Sequence, residues 1–404
     1  MNLIICGDSA TEYWRLDDPG DEGEYVPLDK LKPCVAAGCE YSRATHVPSK
    51  CVATASQLRL LKIMDTQVGD RIAMLHRPIH VMVPASRTQK ERQSIVRHIW
   101  SGVLPRRAIR RICPDVGVAT PEFCFLLAAG AIRTEEQGEG NDLPEPSTPR
   151  KRTETPGAQR KPENPASLRE DCAKTPGERA LARTRDTRVA RLVAYGMELC
   201  GTYCHGSNGE PRYKMRPLTT AKRIGSFLEG CKGAYGVKLA LRAAKYLVDG
   251  SASWMETSLY LLLCLPRKYG GYGLSRPVMN YRIDPERNKR SVTDRDYYLC
   301  DLYWPDKRVG VEYNGKADHS SDYDMKRDAE KSNSYTVMGN HVFVVRWWQV
   351  NRVESLELVV RQLCRELDVR WTPVSTNFRI CHNNLRRLVL PHISKWSDSR
   401  PGEE

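Results

Sequence analysis

Two short runs in the last third of the chain carry its strongest strand pattern. Residues 297–304 (YYLCDLYW) and 308–313 (RVGVEY) are rich in aromatic and β-branched side chains, and Pro305-Asp306-Lys307-Arg308 reads as the turn between them. Centring that turn between Asp306 and Lys307 sets Trp304 opposite Val309, Leu302 opposite Val311 and Cys300 opposite Tyr313, which makes one apolar face. The other face then sets Tyr303 against Gly310 and Asp301 against Glu312. A one-residue slip would mix the two faces, so the apolar pattern argues for this register. Downstream, the pattern predicts a polar helix over 322–334, with Arg327 and Lys331 four apart, and a buried strand over 341–348 (HVFVVRWW). Upstream, Ser253-Trp254-Met255-Glu256 precedes the apolar run 259–265, and 269–273 (YGGYG) forms a glycine-rich turn that no Gly-Lys-Ser/Thr follows, so it is not read as a phosphate loop.

The first third mixes a predicted strand over 80–83 with predicted helices over 53–64, 89–100 and 121–129. Its basic residues gather in 87–97 and in Arg106, Arg107, Arg110 and Arg111. On a helix the last four form i,i+4 pairs of like charge, which an anion opposite them would stabilise; they read either as a solvated basic face or as a phosphate-contacting stripe. Between 134 and 178 the only large aliphatic or aromatic residues are Leu143 and Leu168, and prolines recur from Pro144 to Pro176. A segment with so little to bury cannot offset the entropy of ordering its backbone. The expected organisation is an N-terminal α+β module over 1–133 that serves DNA or partner recognition, a disordered linker over 134–187, and a C-terminal domain over 188–404 with its core at about 251–367.

Composition narrows the function classes. The 404 residues carry 63 Lys and Arg against 49 Asp and Glu, a net charge of +14, which favours a polyanionic partner, nucleic acid first. No run approaches the roughly 18 apolar residues of a membrane-spanning helix. Residues 1–6 (MNLIIC) are too short for a signal-peptide apolar core and Asp8 and Glu12 follow, so the 14 cysteines are expected to be reduced thiols of a cytoplasmic protein. Cys34, Cys39, His46 and Cys51 offer three thiols and an imidazole, but their spacings are looser than paired C-x2-C zinc motifs, and ordinary core cysteines are the favoured reading.

The acidic pair on the hairpin is the feature with chemical content. Like charges directly opposite one another on a strand pair destabilise it, whereas a divalent cation between them turns repulsion into coordination. An outward-facing pair with salt-bridge partners is the alternative. Glu312-Tyr313-Asn314-Gly315-Lys316-Ala317-Asp318-His319 then adds an amide on the same strand face, a glycine turn, a lysine and a histidine.

Residues 297–350 resemble the endonuclease-like domains related to the very-short-patch repair endonucleases, within the PD-(D/E)xK superfamily. The resemblance rests on Asp301-Leu302-Tyr303-Trp304-Pro305, Val311-Glu312-Tyr313-Asn314-Gly315, His319, residues 324–328 and residues 342–347. It implies a restriction-endonuclease-like mixed sheet flanked by helices, an α/β (α+β) fold, beside the separate small α+β N-terminal module. It also implies that Asp301 and Glu312, with Asn314, hold Mg²⁺ or Mn²⁺, that Lys316 and His319 assist catalysis, and that Glu256 on the first helix completes the site. Ser-x-x-Glu is equally a capping box, in which Glu256 only caps a helix. Arg327 and Lys331 are expected to hold the DNA backbone. Two departures stand out: related domains often carry an acid where Asn314 stands, and the usual lysine two positions after the second acid is missing, with Lys316 four after it. Glu12-Tyr13-Trp14-Arg15 and Thr120-Pro121-Glu122 resemble, more faintly, abortive-infection type IV antitoxin regulators.

The expected function is therefore metal-dependent endonucleolytic cleavage of DNA, of a bacterial defence, repair or mobile-element type. The alternative is a transcriptional regulator whose nuclease-like domain binds DNA without cutting it.

Overall fold

The computed structural model describes residues 1–16, 39–61, 63, 65–84, 94–139, 176–205, 210–293, 295–315 and 322–390. It is mixed α+β, with two mixed sheets separated by a helical layer. In chain order the first part contains β1 (Leu3–Ile5), α1 (Gly7–Arg15), β2 (Glu40–Tyr41), α2 (Ala55–Leu60), α3 (Thr66–Met74), β3 (Ile79–Pro84), β4 (Ile95–Trp100), β5 (Ile109–Arg111), β6 (Val116–Ala119) and α4 (Pro121–Glu139). Its six strands run β2-β5-β6-β1-β3-β4, with β1 parallel to β6 and β3 parallel to β4.

The second part opens with α5 (Pro176–Leu199), the two-stranded β7 (Tyr203–His205) and β8 (Pro211–Tyr213), then α6 (Ala221–Glu229), α7 (Val237–Ala244) and α8 (Trp254–Cys264). The four-stranded sheet follows: β9 (Val278–Ile283), β10 (Tyr298–Trp304), β11 (Val309–Asn314), α9 (Asp322–Val337) and β12 (His341–Arg346). Helices α10 (Trp347–Asn351), α11 (Val353–Glu366) and α12 (Thr376–Val389) complete it. The strand order is β12-β11-β10-β9, antiparallel except for the parallel β11–β12 pair that α9 connects. No helix among the described residues is long and apolar enough to cross a membrane.

Several expected elements change. The helix expected over 89–100 is replaced from Ile95 onward by β4, because six residues of that segment pair with β3; a ladder with a buried neighbour outweighs helical spacing. The helix expected over 53–64 ends at Leu60, and a new one starts after Asp65, whose side chain accepts from the Val68 N–H. The Arg106–Arg111 stretch is not helical: Arg107 takes φ +64 and residues 109–111 pair with β6, so the i,i+4 stripe does not form. The strand expected over 341–348 ends at Arg346 and lies at a sheet edge with only Val345 buried, while Trp348 is exposed on α10. Both ends of the expected 134–187 linker are helical, in α4 and α5; residues 140–175 lie outside the described residues.

The two parts share one core. A continuous buried cluster runs from Leu3 through Phe123 and Val193 to Val389, and α4 packs on α1, α5, α6 and α7. Buried Glu122 at the start of α4 accepts a 2.6 Å hydrogen bond from Thr219 and pairs with Arg223 at 3.1 Å, so the Thr120-Pro121-Glu122 motif is an anchor between the parts. Trp14 Nε1 donates to the Ala119 carbonyl, and Arg15 Nη2 donates to the Glu198 carbonyl on α5. The four-stranded sheet is covered on both sides: Leu302, Trp304, Val309 and Val311 join the common core, whereas Tyr298, Cys300 and Tyr303 pack with Tyr335 and Met338 at the end of α9. Helix α12 docks on the glycine-rich turn. A Cβ at Gly270, where φ is +92, would lie 2.4 Å from the Cys381 carbonyl oxygen, so only glycine permits the approach.

Candidate active site

The β10–β11 register is the expected one: Leu302 pairs with Val311, Tyr303 with Gly310 and Trp304 with Val309. The expected pairing fails one step further along. Cys300 and Tyr303 lie three apart yet share one buried cluster, so the side-chain alternation of β10 slips by one residue between them, and Cys300 is on the Tyr303 face, not the Leu302 face. Asp301 sits at that slip. It belongs to neither ladder, and Asn280 on β9, the residue across from it, takes φ +46. Instead of standing opposite Glu312, the Asp301 carboxylate accepts the Tyr313 N–H at 2.8 Å and so replaces a missing ladder bond.

Three acidic side chains nevertheless meet here, from α8, β10 and β11. Burial holds the Asp301 carboxyl well above the ordinary carboxylate range, and the negative charges of Glu256 and then Glu312 raise it further; the Tyr313 N–H and Lys331 pull it down. Glu256, buried at the first turn of α8, is also raised by burial. Its Oε1 accepts from Ser253 Oγ at 2.9 Å, and its Oε2 accepts from the Ala252 N–H at 2.8 Å and from Asn280 Nδ2 at 2.6 Å. Ser253 Oγ in turn accepts the Glu256 N–H, so Ser253 caps α8 while Glu256 holds the residues before the helix and faces Asp301.

Glu312 Oε1 accepts from Lys331 Nζ at 2.7 Å and from Tyr335 Oη at 2.6 Å. Lys331 was expected on the DNA backbone; the structure places it on the second acid, from α9 and not from the strand. Asn314 Nδ2 donates to Asp328 Oδ2 at 2.6 Å. Arg295, Glu312, Asn314, Asp328, Lys331 and Tyr335 line a cavity of about 180 Å³ between β11, β12 and α9. Asp328 and Tyr335 join the site from α9, and the only sequence signal for them is that 328, 331 and 335 have the spacing of one helical face. Lys316 and His319 lie outside the described residues, as does the side chain of Arg327.

The remaining predicted residues are elsewhere. Arg110 Nη1 donates to the Cys39 carbonyl at 2.7 Å, and Arg107 and Arg110 lie over the Tyr41 ring. With Arg106 and Arg111 they belong to the six-stranded sheet and its turn, not to the Glu312 cavity. Of the Cys34, Cys39, His46 and Cys51 group, Cys34 is outside the described residues, and burial pushes the Cys51 thiol up to about 11, against thiolate formation.

Among the described residues no group of three or more His, Cys, Asp or Glu side chains is arranged to hold a metal ion. The Glu256–Asp301–Glu312 cluster nevertheless offers only oxygen donors, the type that a hard divalent cation takes. Asn314→Asp tests the electrostatics. It would set a second carboxylate at hydrogen-bond distance from Asp328, and the metal-free protein is expected to lose about 1–2 kcal/mol, measured by thermal melts. Mg²⁺ should shrink that loss; equal losses with and without Mg²⁺ would place Asn314 away from any cation site.

Comparison with protein-family models, with curated proteins and with solved structures gave no match.

Proposed function

We propose that the chain is a metal-dependent endodeoxyribonuclease that hydrolyses phosphodiester bonds. The observation that carries this reading is the convergence of Glu256, Asp301 and Glu312 from three elements on one partly buried acidic cluster with a lysine on its outer acid. Buried acids crowded together cost stability, and functional sites are where proteins keep them. Glu256, Asp301 and Glu312 are the residues that would hold Mg²⁺ or Mn²⁺. Bound there, the cation would polarise a phosphoryl oxygen and lower the pKa of its water. Lys331 restores the positive charge that the strand lacks two residues after Glu312, and would offset charge developing on the phosphoryl group. Lys316 and His319 keep the auxiliary roles that the resemblance implies, and Arg327 that of a backbone contact. The net charge of +14 favours DNA as partner.

A second reading has its own observation. Glu312 Oε1 already accepts two donors, and Asn314 engages Asp328, which suits a domain that binds DNA without cutting it. Nicking of supercoiled plasmid separates the two. The nuclease reading expects nicking by the wild type with Mg²⁺ or Mn²⁺, none with EDTA, and none from Glu312→Ala. No nicking under any metal condition, together with retained DNA binding in EDTA, would establish the regulator.

A further inference from the structure

A second cleft, which shares no lining residue with the Glu312 cavity, is built as a ligand site. It lies where α1 and the turn before β3 meet α5 and β7, and its volume is about 740 Å³, within the range of small-molecule sites. Two glutamate–histidine pairs stand on its walls, one from each part of the chain. Glu12 Oε1 meets His76 Nδ1 in a short contact and also accepts the His76 N–H, while Glu198 Oε2 meets His205 Nδ1 at 3.1 Å and its Oε1 accepts the His205 N–H. Each glutamate thus fixes its ring by two contacts and takes Nδ1, leaving Nε2 as the edge turned away from the carboxylate.

Between the pairs lies Arg15, at the end of α1. It is 5% exposed, and its Nη2 donates to the Glu198 carbonyl, but its buried Nη1 has no hydrogen-bond partner. An unpaired guanidinium nitrogen in the interior is costly unless an acceptor reaches it. Arg77 and Arg212 add positive charge at the exposed rim, against Asp8. The glutamates are already engaged by the imidazoles, so an incoming anion meets three arginines and two imidazole edges.

We propose that this cleft binds a small phosphate-bearing molecule of nucleotide size, with its phosphate group on Arg15 and between His76 and His205. With Nδ1–H held by its glutamate, each ring donates from Nε2 only as the imidazolium, and guanidinium and imidazolium donors lining one cleft match the tetrahedral oxygens of a phosphate better than a lone apolar or cationic ligand. The site is separate from the Glu312 cluster and does not rest on the nuclease reading.

Isothermal titration of the full chain with inorganic phosphate, adenosine 5′-monophosphate and adenosine tests it. The monophosphate should bind, free phosphate should bind and compete with it, and adenosine should not bind. Arg15→Gln should weaken binding by about tenfold or more, the loss of one charge-assisted hydrogen-bonding group. If that buried change prevents folding, His205→Gln and Arg212→Gln, both at exposed positions, should each weaken binding several-fold. Glu312→Ala should bind as the wild type does. The proposal is overturned if neither phosphate compound binds at millimolar concentration, if adenosine binds as well as its monophosphate, if the cleft variants bind unchanged, or if Glu312→Ala abolishes binding.

Discussion

Lys331→Met is expected to destabilise the protein by about 1–3 kcal/mol at neutral pH and, on the nuclease reading, to lower Mg²⁺-dependent nicking by about 10²–10³-fold. Lys331 Nζ is 2.7 Å from Glu312, and the two side chains are only 26% and 13% exposed, so solvent screens the pair weakly. Lys331 also counts among the two influences that hold the Asp301 carboxyl down against burial and its acidic neighbours. Methionine keeps an unbranched stem of similar length and removes the charge. Without it Glu312 loses its ion-pair partner and Asp301 a nearby positive charge.

The pH dependence of the penalty has a definite sign. The folded-state pKa of Asp301 is raised, so its ionisation costs the fold stability above that pKa, and protonation returns it as pH falls. The destabilisation by Lys331→Met should therefore be largest at neutral pH and shrink on acidification. Melting curves from pH 8 to pH 4 measure it, and saturating Mg²⁺ should reduce it at neutral pH if a cation binds the cluster. A variant that melts and nicks like the wild type at every pH would show that Lys331 neither neutralises the cluster nor serves the reaction.

Acid should unfold the protein through His382. This residue on α12 is 1% exposed, its Nδ1–H donates to the Gly270 carbonyl at 2.7 Å, and its Nε2 has no hydrogen-bond partner. Phe378 stacks on the ring at 5.3 Å between centroids and Tyr272 lies at 4.9 Å. Burial chiefly, with the nearby Arg386, lowers its pKa from 6.5 to about 4, while the Gly270 carbonyl opposes the shift. Between those values the unfolded chain binds a proton that the folded chain does not, so stability is intact above about pH 6.5 and is lost as pH falls toward 4. The whole loss is about 3 kcal/mol, at 1.36 kcal/mol per pKa unit.

Asp301 and Glu256 titrate in the opposite sense, so the difference between wild type and a His382 variant isolates the effect. His382→Phe keeps a planar ring and removes the titration. It is expected to be less stable at pH 7.5, by about 1 kcal/mol for the lost bond to Gly270, and to fall less steeply with acid. Parallel curves of stability against pH for the two proteins would assign the acid limb to other groups.

What the sequence determined by itself is local. The alternation in 297–313 set the β10–β11 register, because slipping it by one residue would turn Leu302, Trp304, Val309 and Val311 away from the core. Ser253-x-x-Glu256 announced a helix start, and 121–129 a buried helix, because caps and apolar spacing act within a turn or two of chain. Tertiary structure decided the rest. The slip at Asp301 goes with the packing of Cys300 and Tyr303 against Tyr335 of α9, and no pattern within β10 encodes a partner that far along the chain. The strand at Ile95–Trp100 exists because β3 offers it a ladder, and Arg110 and Arg111 take a strand because β6 does. Above all, the lysine sought beside Glu312 on the strand arrives from α9. Charge neutralisation requires proximity in space, and the β11–α9 crossover, not spacing along the chain, brings Lys331 to the acid.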